Sequence, residues 1–319
     1  MPPRKYQNKI AHILANDYVL PETGKPMKLE DFQTRILNHV FTPRKDGRMP
    51  YRTVILSMPK KSGKTEIAAG IAYAWARHFG GEIYSCANDK DQSSGRMFDR
   101  IYKSLDWLKM KNKQRYDNEV LRHNYDIIEL ADPKTDRHQK NRLPYATIKA
   151  LAVDSAGEAG AQNSLVVFDE IWGYKTVEDE NFWEEMQPIP TIPHSTRLVV
   201  TYAGYYGISN LLYGIYERCL KPDTETEEYM GIKAKGLEDL PCYVDGSTFA
   251  YWDHVARMPW HTPEFLAAAR AETRPSEYLR LWENRWTTGQ EAFIDMELFD
   301  ELCVIGDREG RRNHMLAIP

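Results

Sequence analysis

Residues 53–56, Thr-Val-Ile-Leu, form an unbroken apolar and β-branched run that predicts a strand buried on both faces. It stops at Ser57-Met58-Pro59. Directly after Gly63 the chain changes to a strong helical pattern, KTEIAAGIAYAWARHF. The alternation then repeats, with a strand at GGEIYSCAN and a helix over DKDQSSGRMFDRIYKSLDWL, opened by Asp89 or Asp91 as its cap. Two more strands are predicted at YDIIEL and ATIKALAV, separated by a loop too charged to be core, DPKTDRHQKNR. After the glycine-bearing SAGEAGAQN come strands at residues 165–168 and at RLVVTYAGYYG. Strand-helix-strand-helix order predicts an α/β fold with a mostly parallel central sheet flanked by helices. Upstream, Leu29, Phe32, Ile36, Leu37 and Val40 share one face of an amphipathic helix.

The pattern divides the chain. Residues 1–24 are a basic, partly helical arm closed by Pro21-Glu22-Thr23-Gly24, and 25–219 hold the α/β core. An acidic, polar stretch, KPDTETEEY, then marks a boundary. Residues 220–295, with two strand-like runs and two helices each started by proline, are expected to be a small lid or linker subdomain. No internal repeat or low-complexity tract is present.

A length of 319 residues suits one large or two modest domains, and 42% hydrophobic with 28% charged residues describes an ordinary globular protein. The net charge of −4 gives no global field toward nucleic acid, so DNA contact has to come from local basic patches. The basic cluster at residues 109–115 is either a solvated helix end or such a patch. Cys86, Cys219, Cys242 and Cys303 lie far apart without zinc spacing, as reduced thiols of a cytosolic compartment do. Neither a signal peptide nor an apolar run near the ~18 residues of a membrane span is seen.

The chemistry sits where the first strand meets its helix. Pro59, Lys60, Lys61, Ser62, Gly63, Lys64 and Thr65 form a basic Walker A loop, although Met58 stands where its first glycine is usual. Backbone N–H groups and the helix start would cradle phosphates, Lys64 would reach the terminal phosphates of ATP, and the Thr65 hydroxyl would ligate Mg²⁺. Asp169 and Glu170 close the apolar run 165–168 in the Walker B manner. Asp169 would hold the Mg²⁺ and Glu170 would act on the attacking water as general base. Gln33 is either a solvated surface residue or a reader of the adenine edge. Thr201 is either a plain strand end or a sensor that couples loss of the γ-phosphate to motion.

Taken together these motifs resemble the ATPase part of a tailed-bacteriophage terminase large subunit, a DNA-packaging motor. The resemblance is carried by Phe32-Gln33, the basic loop 59–65, Ala87-Asn88-Asp89 with Gln92, residues 166–170, Thr201-Tyr202-Ala203-Gly204, and the run from Arg257 to Ile294. It implies a P-loop NTPase of the additional-strand, RecA-like class with Mg²⁺-dependent ATP hydrolysis. The implied partners are double-stranded DNA, a portal or procapsid vertex, a terminase small subunit and further copies in a pentameric ring, with no membrane. It further implies work in the host cytoplasm during virion assembly and absence from the mature virion. Residues 296–319 would begin a connection to a nuclease domain absent here.

Two features depart from the family. Lys60 holds a place often occupied by arginine, and lysine lacks the bidentate fork. No arginine lies between Ser155 and Ser164, so the expected finger is Arg142 or Arg137 acting in trans, or Lys60 in cis. A helicase-like translocase would share both Walker motifs, but residues 220–319 are too short for a second RecA-like domain. A nucleotide-binding scaffold without turnover is the other alternative, against which Glu170 stands.

Overall fold

A computed structural model describes residues 8–87, 96–133, 143–152, 162–223 and 228–288. Two helices precede the sheet, α1 (Lys9–Asn16) and α2 (Asp31–Val40). The first half continues as β1 (Thr53–Ser57), α3 (Lys64–His78), β2 (Gly81–Ala87), α4 (Met97–Lys111), α5 (Lys113–Glu119), β3 (Val120–His123) and β4 (Ile127–Ala131). Next come β5 (Pro144–Ala152), β6 (Asn163–Asp169), α6 (Val177–Glu185), β7 (Thr196–Thr201), β8 (Tyr205–Tyr206) and α7 (Asn210–Leu220). The last part holds β9 (Ile232–Lys233), β10 (Cys242–Asp245), β11 (Thr248–Trp252), α8 (Pro263–Glu272), α9 (Pro275–Trp282) and β12 (Thr287–Thr288).

Ten strands make one sheet in the order β3-β4-β5-β2-β6-β7-β1-β11-β10-β9. From β5 to β11 every neighbouring pair is parallel, and antiparallel strands cap both ends. One strand, β7, lies between β1 and β6. That insertion is the mark of the additional-strand class, and it puts the C-terminal ends of β1, β7 and β6 side by side.

Strand alternation explains the two cores. Val54 and Leu56 of β1 join one apolar cluster with Ile67, Ile71 and Trp75 of α3, and Ile55 joins the other with Val166, Phe168 and residues of α6 and α7. Both faces are covered, so β1 and β6 are buried along their whole length.

Two stretches differ from their sequence pattern, and a third follows one of its two readings. The arm is not loose: Ile10, Ala11, Leu14 and Tyr18 are fully buried, and a Cβ on Gly70 of α3 would stand 2.9 Å from Leu14 Cγ. The strands at 232–252, grouped with the lid by composition, extend the core sheet, because β11 pairs with β1 from Thr53↔Thr248 to Ser57↔Trp252. Much of the basic cluster at 109–115 is tied down locally. Lys111 donates to Gly24 O, Lys113 pairs with Asp117, and Arg115 pairs with Asp17 and Glu119, as a solvated helix end does.

Candidate nucleotide site

The β1–α3 loop has the shape of a phosphate cradle. Gly63 caps α3 with φ 76° and Lys61 takes φ 67°, so the loop turns sharply into the helix through two left-handed positions. Met58 shows why a glycine is dispensable at the loop's start. Its backbone is not left-handed, its side chain lies in the core, and its N–H donates to Thr201 O at 3.1 Å, continuing the strand pairing by one residue. Pro59 and Ser62 are buried, and Lys61 is exposed.

Lys64 is only 6% exposed, and its Nζ donates to Met58 O at 3.0 Å and Pro59 O at 3.2 Å. The ammonium also stands 4.7 Å from the Tyr202 ring. Burial lowers its pKa; Glu170 and Asp169 oppose that shift, and the charge of Lys60 adds to it.

On the facing strand, β6 ends at Asp169. Its Oδ2 accepts from Thr65 Oγ1 at 3.3 Å, joining the two motifs, and its Oδ1 is buried with no partner among the described residues. Glu170 follows at φ 57°, a left-handed position that carries strain in a non-glycine residue. Its N–H donates to Val200 O at 2.8 Å, and one carboxylate oxygen accepts from the Trp172 indole at 2.9 Å. Burial pushes the Glu170 carboxyl up to about 7, the Lys64 charge holds it down, and the neighbouring Asp169 raises it further. Arg96, exposed at the start of α4, pulls both acidic groups down by its charge.

The Thr65 hydroxyl and the orphaned Asp169 oxygen fit a magnesium ion. Among the described residues no group of three or more histidine, cysteine or acidic side chains converges. A metal here would therefore share its shell with substrate phosphates and water, as Mg²⁺ commonly does.

Thr201 is fully buried at the tip of β7, opposite Ser57 in the register, and its hydroxyl donates to Tyr202 O at 2.9 Å. Gln33 is buried as well, which removes the solvated alternative. Its carbonyl accepts from Glu30 N at 2.9 Å as half of a capping box, and its amide N–H faces Met258 Sδ at 3.6 Å. The backbone of the loop is tied to α9 and to the segment before α8: Lys60 N donates to Leu281 O at 2.5 Å, and the Trp260 indole donates to Lys61 O at 2.9 Å. Lys60 Nζ lies 6.0 Å from the Trp282 ring centroid, at the end of α9. Arg137, Arg142, Asn88, Asp89 and Gln92 lie outside the described residues.

Sequence reasoning gave Trp172 no place in this site, and it cited Tyr202, Arg280 and Asn284 only as members of the runs 201–204 and 257–294, without a role for any of them. Asn284, fully buried at φ 51°, donates to Ser57 Oγ and Asp253 O at 3.0 Å each and accepts from Ala203 N at 2.7 Å. A single amide thus ties together the chain ends that follow β1, β7 and β11. Its sequence signal was only an asparagine in an otherwise apolar and basic run.

No protein-family model matches the chain, and no curated protein matches it. Solved structures do. The fold is similar to the ATPase domain of the Thermus phage P74-26 large terminase, in a mutant form, at 13% identity with a TM-score of 0.52. That match covers 79% of this chain and 97% of the other. It is also similar to the large terminase of bacteriophage HK97, at 15% identity with a TM-score of 0.52, covering 93% of this chain and 58% of that protein. At such identities the likeness is one of fold.

Proposed function

We propose that this chain is the ATP-hydrolysing motor domain of a viral terminase large subunit, which drives double-stranded DNA into a procapsid. The observation that carries this reading is the meeting of Thr65 with Asp169 at the tips of β1 and β6, with Lys64 and Glu170 beside them.

ATP would enter with its phosphates at the loop and the start of α3, and Lys64 would exchange Met58 O and Pro59 O for phosphate oxygens. Thr65 and Asp169 would hold Mg²⁺, which when bound offsets the negative charge of the phosphates. Glu170, in its deprotonated form, which the charge of Lys64 favours against burial, takes a proton from the attacking water. Loss of the γ-phosphate is then felt at Thr201, whose carbonyl is bonded to Met58 N. A further cation completes the site, supplied by Arg142 or Arg137 of a neighbouring copy or by Lys60 within the chain. DNA, a portal vertex, a small subunit and a pentameric ring of copies are the partners of this reading.

Phosphate release from Mg-ATP, measured with and without duplex DNA and over a range of protein concentrations, tests it. The expected result is slow basal release that rises with concentration and with duplex. Separation of a forked duplex would favour a helicase, and nucleotide binding without release would favour a scaffold.

A further inference from the structure

Arg280 reaches both catalytic side chains through one aromatic ring each. It lies on α9, in the lid, and its side chain is 5% exposed. Its guanidinium carbon stands 4.6 Å from the Trp172 ring, 5.0 Å from Tyr202 and 4.4 Å from Tyr205. Trp172 is the residue whose indole N–H holds the Glu170 carboxylate, and Tyr202 is the ring against which the Lys64 ammonium rests. On its other side Arg280 pairs with Glu277 at 2.9 Å, and Glu277 accepts from the Tyr205 hydroxyl at 2.6 Å.

As a mere packing group this arrangement would be a poor choice. A buried guanidinium whose Nε has no partner among the described residues pays a desolvation cost that the Glu277 carboxylate and a long bond to Ala203 O at 3.5 Å only partly offset, and an apolar residue of similar size would fill the space at no such cost. What the guanidinium alone provides is a flat cation that lies against several ring faces at once and fixes their angles.

Resting on the ATPase reading above, we propose that Arg280 is a positioning residue for hydrolysis, setting the placement of Glu170 through Trp172 and of Lys64 through Tyr202 according to where the lid helix sits. The Trp172 indole N–H is bonded to the Glu170 carboxylate at 2.9 Å, so a small rotation of Trp172 redirects that carboxylate. Because the coupling is reciprocal, release of the Trp172 N–H when Glu170 turns to the attacking water loosens the seat of Arg280 and hence of α9.

Steady-state hydrolysis of Arg280→Lys, Arg280→Gln, Trp172→Phe and the Arg280→Gln/Trp172→Phe double variant tests the relay, with binding of a fluorescent ATP analogue and melting temperature measured beside it. Each single variant is expected to lose about tenfold in kcat while KM and analogue affinity stay within about twofold, and the double variant to lose no more than the worse single one. Arg280→Lys keeps the charge and is the informative variant where Arg280→Gln fails to fold. Wild-type kcat in Arg280→Lys overturns the proposal, as do losses that multiply in the double variant or a fall in analogue affinity that matches the fall in kcat. A wild-type chain that binds the analogue without hydrolysing ATP overturns the ATPase reading itself, and the relay with it.

Discussion

Thr65 and Asp169, 104 residues apart in sequence, meet at 3.3 Å where the helix start after β1 faces the end of β6. The hydroxyl takes up one carboxylate oxygen and leaves the other buried with no partner among the described residues. β1 and β6 are not hydrogen-bonded neighbours; β7 lies between them and sets the gap between their ends.

The two carbonyls that hold Lys64 belong to its own loop, so phosphate and loop compete for one ammonium. Lys64→Ala is expected to abolish phosphate release and to weaken nucleotide binding at least tenfold, roughly the 1.4 kcal/mol or more of a lost charge-assisted contact. Equilibrium binding of a fluorescent ATP analogue checks the second part.

Gln33 has committed its carbonyl to Glu30 N and retains only its N–H groups toward Met258. Gln33→Ala should raise KM for ATP and narrow the gap between ATP and GTP by on the order of 1–2 kcal/mol, measured as a ratio of kcat/KM values. An unchanged preference would leave Gln33 with its capping role alone.

Burial lifts Glu170 to about 7 in the nucleotide-free protein. A general base acts without its proton, and a raised pKa means that the proton is gained as pH falls through that value. The kcat/KM profile for ATP, which reports the free enzyme, should therefore be flat above about pH 8 and fall about tenfold per unit below about pH 6. A profile unchanged down to pH 5.5 would mean that another group sets the rate.

Asn284→Ala would leave Ala203 N and Asp253 O without their side-chain partner in a fully buried place. The expected loss is about 3 kcal/mol of folding stability, read as a lower urea midpoint at unchanged slope.

How much of this was legible depends on the range of the interactions. The apolar runs of β1 and β6, the helix after Gly63 and the acidic pair after Phe168 are local patterns, and the structure places them together. Burial of α1 against Gly70 and pairing of β11 with β1 are long-range contacts that no local pattern encodes, so 9–18 read as an arm and 242–252 as part of a lid. Met58 in place of a glycine looked like a defect. It is a core side chain in a loop whose left-handed turns fall later, at Lys61 and Gly63. The roles of Trp172, Tyr202 and Arg280 were illegible, although the last two lie in runs that carry the resemblance, because aromatic and basic residues on separate elements gain meaning only once α9 lies against the ends of β6 and β7.

Phosphate release by Glu170→Gln, set beside nucleotide binding by the same variant, tests the central claim most directly. The substitution keeps the size and one acceptor of the side chain and removes the base, so ATP should bind with near wild-type affinity while release falls by about a hundredfold or more. Release within a few fold of wild type would contradict the account, because the carboxylate beside Asp169 would then not be the group that activates water.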